Sequence, residues 1–131
     1  MPKSQAGAVI ISSVSQAAAG TTRGRLDCST VDGGVVTFRI TNGATGPTAQ
    51  AVGRILIAHK GAAMPAAAGE GTADLDWKLV YEIGGGLTAN TPSRGVYRFG
   101  AEVAYLEVEF TGNTGQAVTV EAHATTYTYP Y

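Results

Sequence analysis

Glu107 and Glu109 are the residues of this chain whose types and spacing come nearest to a catalytic acid pair. Two residues apart on a strand, their carboxylates would lie on one face about 7 Å from each other, a separation that glycosidase carboxylates can have. Such a pair also needs one raised pKa, and no neighbouring residue in the sequence would raise it. The sequence therefore favours a solvated strand face over an active site here.

The residues that could ligate a metal ion or act as a nucleophile are few and scattered. His59, His123 and the single cysteine, Cys28, are far apart in the sequence, whereas zinc sites use three or four ligands at recognisable spacing. Asp74–Asp76 resembles the start of a calcium loop, but the other positions of that loop are missing. We expect no metal and no cofactor, and we expect Cys28 to be a small buried thiol, because its neighbour Asp27 has the wrong charge to activate it.

Sequence motifs of enzymes are missing as well. No Gly-x-Ser-x-Gly elbow surrounds any of the serines. Gly84–Gly86 follows a predicted strand but opens no helix, so it lacks the helix N-terminus that lets a glycine loop bind phosphate. The sequence predicts a protein that is not an enzyme.

The C-terminal end carries an alternating set of tyrosines. Tyr127, Tyr129 and Tyr131 are two residues apart, so their rings project to one side of an extended chain. Tyrosine is enriched where protein meets protein, and it also stacks on sugars. The rings either form part of an interface or cover an edge of the chain's own core.

Alternation of apolar and polar residues with a period of two runs through most of the chain and predicts strands. In the clearest case Leu106, Val108 and Phe110 alternate with Tyr105 and the two glutamates, which predicts one buried and one solvated face. Gln50–Lys60 is more uniformly apolar, which predicts a strand covered on both faces. About eight strands are predicted, at residues 8–14, 24–31, 35–42, 50–60, 75–83, 94–101, 103–110 and 118–124. This pattern is typical of an all-β protein, a single antiparallel β-sandwich or jelly roll.

The turn residues predict some of the strand pairings. Asp32–Gly34 is a strong hairpin signal, because its glycines tolerate positive φ, and it predicts that the second and third strands pair with each other. The pairing of the last two strands stays open. Either Val108 lies opposite Val118 around the loop Thr111–Gly115, or the two strands belong to different sheets.

Composition and charge exclude several classes of function. A chain of 131 residues fits one domain. Only 15% of its residues are charged, against about 25% in a typical protein, and such a neutral surface suits packing against other protein. The formal charge of −1, without a basic stripe in the sequence, argues against nucleic-acid binding. No secretory leader is evident, and no apolar run approaches the roughly 20 residues that span a bilayer, so we expect no membrane partner.

The chain divides by composition into an N-terminal arm, residues 1–7, a β-sandwich domain, residues 8–125, and a tyrosine-rich tail, residues 126–131. A long Ala/Gly-rich loop, Gly61–Ala73, lies inside the domain, and loops of this length are usually functional or ordered by a partner. The residues predicted to form interfaces lie in the arm, this loop and the tail: Pro2, Lys3, Met64, Pro65, Tyr127, Tyr129 and Tyr131.

Two segments, Arg39–Thr48 (RITNGATGPT) and Gly112–Ala122 (GNTGQAVTVEA), resemble segments of small β-sandwich proteins encoded among the virion genes of tailed bacteriophages. A central strand with a tryptophan, here Trp77, is also shared, and the resemblance extends over roughly residues 24–124. The shared motifs belong to turns and strands. The resemblance therefore implies a structural role in the virion and transfers no functional residue.

The function that this resemblance implies is that of a capsid decoration or cement protein, made in the host cytoplasm and assembled into the virion. Its expected partners are the major capsid protein, other virion proteins and its own copies. One alternative is a position in the tail, the neck or a fibre. Another is a glycan-binding module for host attachment. The position of Trp77 argues against this alternative, because Trp77 lies on the apolar face of its predicted strand, together with Tyr81 and Ile83.

Overall fold

The computed structural model describes residues 3–59 and 77–130 of the chain. Strands and irregular connections make up these residues, and no helix able to cross a membrane occurs among them. Pro2, Met64, Pro65, Tyr131 and the Asp74–Asp76 segment lie outside the described residues. The strands are β1 (Ser4–Gln16), β2 (Thr22–Asp27), β3 (Gly33–Asn42), β4 (Val52–Ala58), β5 (Lys78–Gly84), β6 (Pro92–Gly100), β7 (Tyr105–Thr111) and β8 (Val118–Thr128).

The strands form two antiparallel sheets of four strands each. Sheet A has the order β1-β8-β3-β6, and sheet B has the order β2-β7-β4-β5. Because β8 lies between β1 and β3 while β7 lies between β2 and β4, this is the interleaved arrangement of an eight-stranded jelly roll. The prediction of an all-β antiparallel sandwich of about eight strands is confirmed.

The predicted hairpin at Asp32–Gly34 is wrong, because β2 and β3 lie in opposite sheets. The turn instead fastens the start of β3 to the end of β8. The Asp32 N–H donates to the Tyr127 carbonyl at 2.8 Å, and the Asp32 carboxylate accepts from the Tyr129 N–H at 2.6 Å. For the last two strands, β7 and β8, the structure selects the alternative in which they belong to different sheets.

The first strand begins close to the N-terminus, at Ser4, and the last strand ends close to the C-terminus, at Thr128. Residues 4–7, expected to form an arm, pair with residues 125–128, and Ser4 lies opposite Thr128. β1 therefore begins before Ala8, and β8 continues into the segment expected to be a tail. The two segments order each other because each supplies hydrogen-bonding partners for the other's backbone.

The main core lies between the two sheets. Val36, Phe38 and Ile40 of β3 point into it, as the alternation predicts, and are at most 2% exposed. The Phe38 ring contacts the rings of Tyr81 and Phe110, with centroid distances of 5.8 and 6.2 Å. Apolar residues from both sheets therefore bury one common interior.

A bulge in the pairing of β4 with β5 separates two residues that the alternation places together. Ile55 lies opposite Tyr81, but the next residue, Leu56, lies opposite Leu79, so the register shifts by one residue. Tyr81 reaches the main core side, whereas Trp77 joins a second buried apolar cluster with Leu56. The prediction of one shared face for Trp77 and Tyr81 is wrong, because a one-residue shift exchanges the faces of a strand.

The two segments that carry the family resemblance contact each other at one end of the sandwich. Ala49 and Thr114 form an isolated bridge, and the Thr48 N–H donates to the Thr114 carbonyl at 2.8 Å. Each segment also contains a buried asparagine whose amide group donates to backbone carbonyls of neighbouring loops, Asn42 in the first and Asn113 in the second. The shared residues thus have a clear structural role.

Candidate interface on the outer face of sheet A

The outer face of sheet A is open to solvent. Val9, His123, Thr37 and Val96 form one row across it, since they lie opposite one another in β1, β8, β3 and β6. Two apolar residues of this row are strongly exposed, Val9 by 62% and Val96 by 55%. We call "the sheet A face" the following outward-pointing side chains of these strands, together with Lys3: Lys3, Gln5, Val9, Val35, Thr37, Arg39, Arg94, Val96, Arg98, Glu121, His123, Thr125 and Tyr127.

Lys3, Tyr127 and Tyr129, which the sequence predicts as interface residues, meet at one end of the sheet A face. The Tyr127 ring lies over Gly33 of the neighbouring strand, where an added Cβ would come within 2.5 Å of the Tyr127 hydroxyl. Lys3 Nζ lies 5.6 Å from the centre of the Tyr127 ring, and the Tyr129 ring meets the same ring edge-on at 5.4 Å. Because Tyr129 remains 48% exposed, this end presents an aromatic edge to solvent.

The other end of the sheet A face carries Arg39, Arg94 and Glu121. Glu121 pairs with Arg39, and its second carboxylate oxygen lies 3.1 Å from His123 Nε2. Arg94 lies directly opposite Arg39, whereas Arg98 lies opposite Val35, on the Tyr127 side of the middle row. Within residues 3–59 and 77–130, neither Arg94 nor Arg98 forms an ion pair.

The shape of the sheet A face suits a broad partner. Three shallow depressions lie on it, one beside Arg39 and Arg94, one beside Val9 and one beside Tyr127. Small-molecule sites, by contrast, enclose most of their ligand's surface. A protein surface laid across the four strands would contact all three depressions at once.

The outer face of sheet B is different, because β7, one of its two inner strands, is buried on both sides. Glu107 is fully buried and Glu109 is 6% exposed, so the prediction of a solvated face for these two residues is wrong. Arg23 Nε donates to Glu109 at 2.8 Å, Arg25 Nε lies 3.5 Å from Glu107, and Arg54 Nη1 lies 3.8 Å from Glu109. Alternation cannot reveal this, because polar residues at alternate positions look alike whether water or arginines surround them.

Burial raises the pKa of Glu107 above its ordinary value, although the positive charges of Arg25 and Arg23 oppose the shift. A raised pKa beside a second carboxylate is what a glycosidase pair needs. Here, however, the Glu107 carboxylate has no exposed surface and so cannot reach a substrate. The pair is best explained as part of a structural ion-pair network.

Replacing Glu107 by glutamine should raise the melting temperature by about 3 °C at pH 7. The folded state raises the pKa of this carboxyl, so the unfolded chain ionises first as the pH rises, and the group favours unfolding above that range. The gain of Glu107→Gln should shrink as the pH falls through 4.5, the ordinary pKa, because below that pH the carboxyl holds its proton in both the folded and the unfolded state. Thermal unfolding between acid and neutral pH checks this. A variant that melts well below the wild type at neutral pH would mean that the arginine contacts outweigh the cost of burial.

The remaining candidate groups for chemistry lie apart from one another. Cys28 is 1% exposed, and burial, with a contribution from the negative charge of Asp27, raises the pKa of its thiol to about 12. The prediction of a small buried thiol is confirmed. His59 is exposed at the end of β4, while His123 lies on the sheet A face. In the described part of the chain, no group of three or more histidine, cysteine, aspartate or glutamate residues could hold a metal ion.

Solved structures with the same fold share little sequence with this chain. The K3 cleaved adhesin domain of Lys-gingipain from Porphyromonas gingivalis matches with a TM-score of 0.58 and 12% identity, over 86% of this chain and 72% of that chain. A structure of T=1 particles derived from infectious bursal virus matches with a TM-score of 0.54 and 8% identity, over 97% of this chain and 32% of that chain. The SPBc2 prophage-derived protein YomS matches with a TM-score of 0.47 and 13% identity, over 98% of this chain and 96% of that chain.

The likenesses to the adhesin domain and to the viral particle chain show the β-sandwich fold. This chain spans about a third of the length of the viral particle chain, so the match there is to one part of a larger protein. No protein-family model matches the sequence, and no curated protein matches it.

The interface residues predicted from the sequence include side chains at one end of the sheet A face and none at the other. Alternation within the C-terminal segment is a local signal, and it is what singles out Tyr127 and Tyr129. Arg94, Val96 and Arg98 also alternate, so a shared face could have been predicted for them. The local sequence does not show that these three residues lie beside Arg39 and on the same face as the tyrosines. Those positions depend on the order of strands in sheet A.

Proposed function

We propose that this chain is a non-enzymatic structural protein of a bacteriophage virion, and specifically a capsid decoration protein that binds the major capsid protein and stabilises the head. The observation that carries this proposal is the open sheet A face, which is broad and shallow and has the exposed Tyr129 at one end. A flat face of this kind suits contact with a protein surface better than it suits chemistry on a small substrate.

The arrangement of the ionisable groups supports a passive role. Glu107 and Glu109 are buried among arginines, and the thiol of Cys28 is buried and held protonated. The bland sandwich would then act by adding buried area at the joints between capsid subunits, multiplied over many copies.

The fold and the sequence give two further, weaker supports. Jelly rolls recur in viral capsid and lectin domains, which is an analogy at the level of fold. The viral particle structure named above contains such a sandwich. The resemblance of Arg39–Thr48 and Gly112–Ala122 to phage virion proteins is independent of that likeness, because it rests on sequence.

The test is to separate purified virions into heads and tails and to quantify this chain in each fraction by mass spectrometry. The proposal expects it in the heads, at a copy number comparable to that of the capsid subunits or capsomers. Recovery in the tail fraction would favour the tail, neck or fibre position. Absence from purified virions would contradict a structural role altogether.

A second candidate, a glycan-binding module for host attachment, is favoured by the exposed edge formed by Tyr127 and Tyr129. Trp77 supplies no part of such a platform, because it is fully buried. Glycan-array binding by the purified chain, lost in Tyr129→Ala, would support this candidate. If the wild-type chain binds no glycan on the array, the result argues against the glycan-binding module and favours the decoration protein.

A further inference from the structure

Charge is unevenly divided between the sheet A face and the rest of the chain. The sequence contains 9 lysines and arginines and 10 aspartates and glutamates, which give a formal charge of −1. On the sheet A face, however, four cationic side chains stand against two carboxylates, that of Glu121 and that of Glu102, which lies over Gly100 at the end of β6. The face is therefore positive, and the remainder of the chain is negative.

The carboxylates on or beside the face lie at its two ends. At one end, Glu121 is shared by Arg39 and His123. At the Tyr127 end, the Glu102 carboxylate lies over Gly100, and the Asp32 carboxylate accepts from the Tyr129 N–H. The positive excess thus falls on Lys3 at the β1 edge and on Arg94 and Arg98 at the β6 edge.

We propose that the sheet A face docks onto an acidic protein surface, with Arg94 and Arg98 as the main electrostatic determinants. This inference rests on the proposed function, in which the acidic surface is that of the head shell. Arg94 lies directly opposite Arg39, an unfavourable placement of like charges, and Glu121 pairs with Arg39 and not with Arg94. A carboxylate supplied by a partner would pair with Arg94 and relieve the remaining repulsion.

The dimensions of the face fit a modest interface. Four strands about 4.8 Å apart, each presenting about eight residues, cover roughly 500 Å². The two partners together would bury about 1,000 Å², the lower limit for a specific interface. Val9 and Val96 lie in the middle row, between the charged and aromatic ends, where they can supply apolar contact. Single copies should then bind weakly and be sensitive to salt, because exposed charges are screened.

The experiment measures co-sedimentation of the purified chain with expanded, DNA-free heads of the encoding phage, at low and at high salt. The double variant Arg94→Gln/Arg98→Gln is compared with the double variant Leu87→Glu/Thr88→Glu, which makes the same change in net charge on an exposed loop outside the face. We expect the arginine variant to bind about tenfold or more weakly than the wild type and to lose most of its salt dependence. The loop variant should bind like the wild type, and both should keep the wild-type melting temperature.

Each other outcome has a definite meaning. If the wild type binds heads and the arginine variant binds equally well, the inference is wrong and the proposed function stands. If the wild type does not bind heads, the proposed function itself fails. Equal weakening in both double variants would assign the effect to net charge and contradict a role for this face. Loss of self-association or of nucleic-acid binding in the arginine variant, with head binding unchanged, would assign the face to another occupant and overturn the inference.

Discussion

Phe38→Ala is expected to lower the free energy of unfolding by about 3–5 kcal/mol. The Phe38 ring fills the centre of the sandwich, where it contacts Tyr81 and Phe110 and is 2% exposed. Two glycines face this ring from opposite sheets: a Cβ added to Gly53 or Gly95 would lie 3.0 or 2.7 Å from it. Because these positions carry no side chains that could move into the vacated space, the cavity should persist and the cost should lie in the upper part of this range.

Urea unfolding, followed by the fluorescence of Trp77, measures this cost. Thr37→Ala is the matched control, because Thr37 directly precedes Phe38 in the same strand and its side chain points to solvent. A loss of less than about 1 kcal/mol for Phe38→Ala would mean that the two sheets close around the cavity. Should the alanine variant fail to fold, Phe38→Leu leaves a smaller cavity and is expected to cost less.

Asn113→Ala should lower the free energy of unfolding by about 2–4 kcal/mol, because it removes several buried hydrogen bonds at once. The Asn113 side-chain oxygen, Oδ1, accepts from Gln16 Nε2 at 2.7 Å, and the side-chain amide nitrogen, Nδ2, donates to the Gln116 backbone carbonyl at 2.9 Å. The same amide also approaches the backbone carbonyls of Gln16 and Ala17, at 3.4 and 3.3 Å. After truncation, buried groups at the end of β1 are left without partners, and water cannot easily replace them.

The control for this prediction is Gln116→Ala, which removes an exposed side chain and keeps the backbone carbonyl that Asn113 binds. We expect that control to change stability by less than about 0.5 kcal/mol. Equal stability of Asn113→Ala and the wild type would show that the end of the sandwich is held by the backbone bridge between Ala49 and Thr114 without help from this side chain.

The two segments that resemble phage virion proteins, Arg39–Thr48 and Gly112–Ala122, each contain a buried asparagine that holds end loops of the sandwich together. Asn42 donates to the carbonyls of Gly85, Gly86 and Thr88, as Asn113 does to its own neighbours. A jelly roll needs its end loops fixed to one another, and a buried amide can bind several carbonyls at once. The shared motifs are therefore consistent with a common architecture, and they carry no information about a binding site.

The sequence determines the fold class through local signals. Alternation in segments such as Leu106–Phe110, with glycine- and proline-rich turns between segments, predicts strands and a two-layer protein without reference to any distant residue. The inward direction of Val36, Phe38 and Ile40 follows in the same way.

Two of the wrong predictions, the hairpin and the solvated glutamates, share one cause, which is that the order of strands in a sheet is not a local property. Asp32–Gly34 has the residues of a hairpin turn but joins strands of opposite sheets. Glu107 and Glu109 alternate like solvated residues, yet their strand lies between β2 and β4, and arginines of both neighbours contact them. The sheet A face could not be predicted as a unit for the same reason, since it unites residues from both ends and the middle of the chain.

The most direct measurement of the central claim is a density map of the intact virion at a resolution that orients this chain on the particle. We expect sheet A to lie against the head shell, with Arg94 and Arg98 facing carboxylates of the capsid protein and Tyr129 at the rim of the contact. A particle in which the sheet A face points to solvent, with sheet B or an end of the sandwich against the shell, would contradict it.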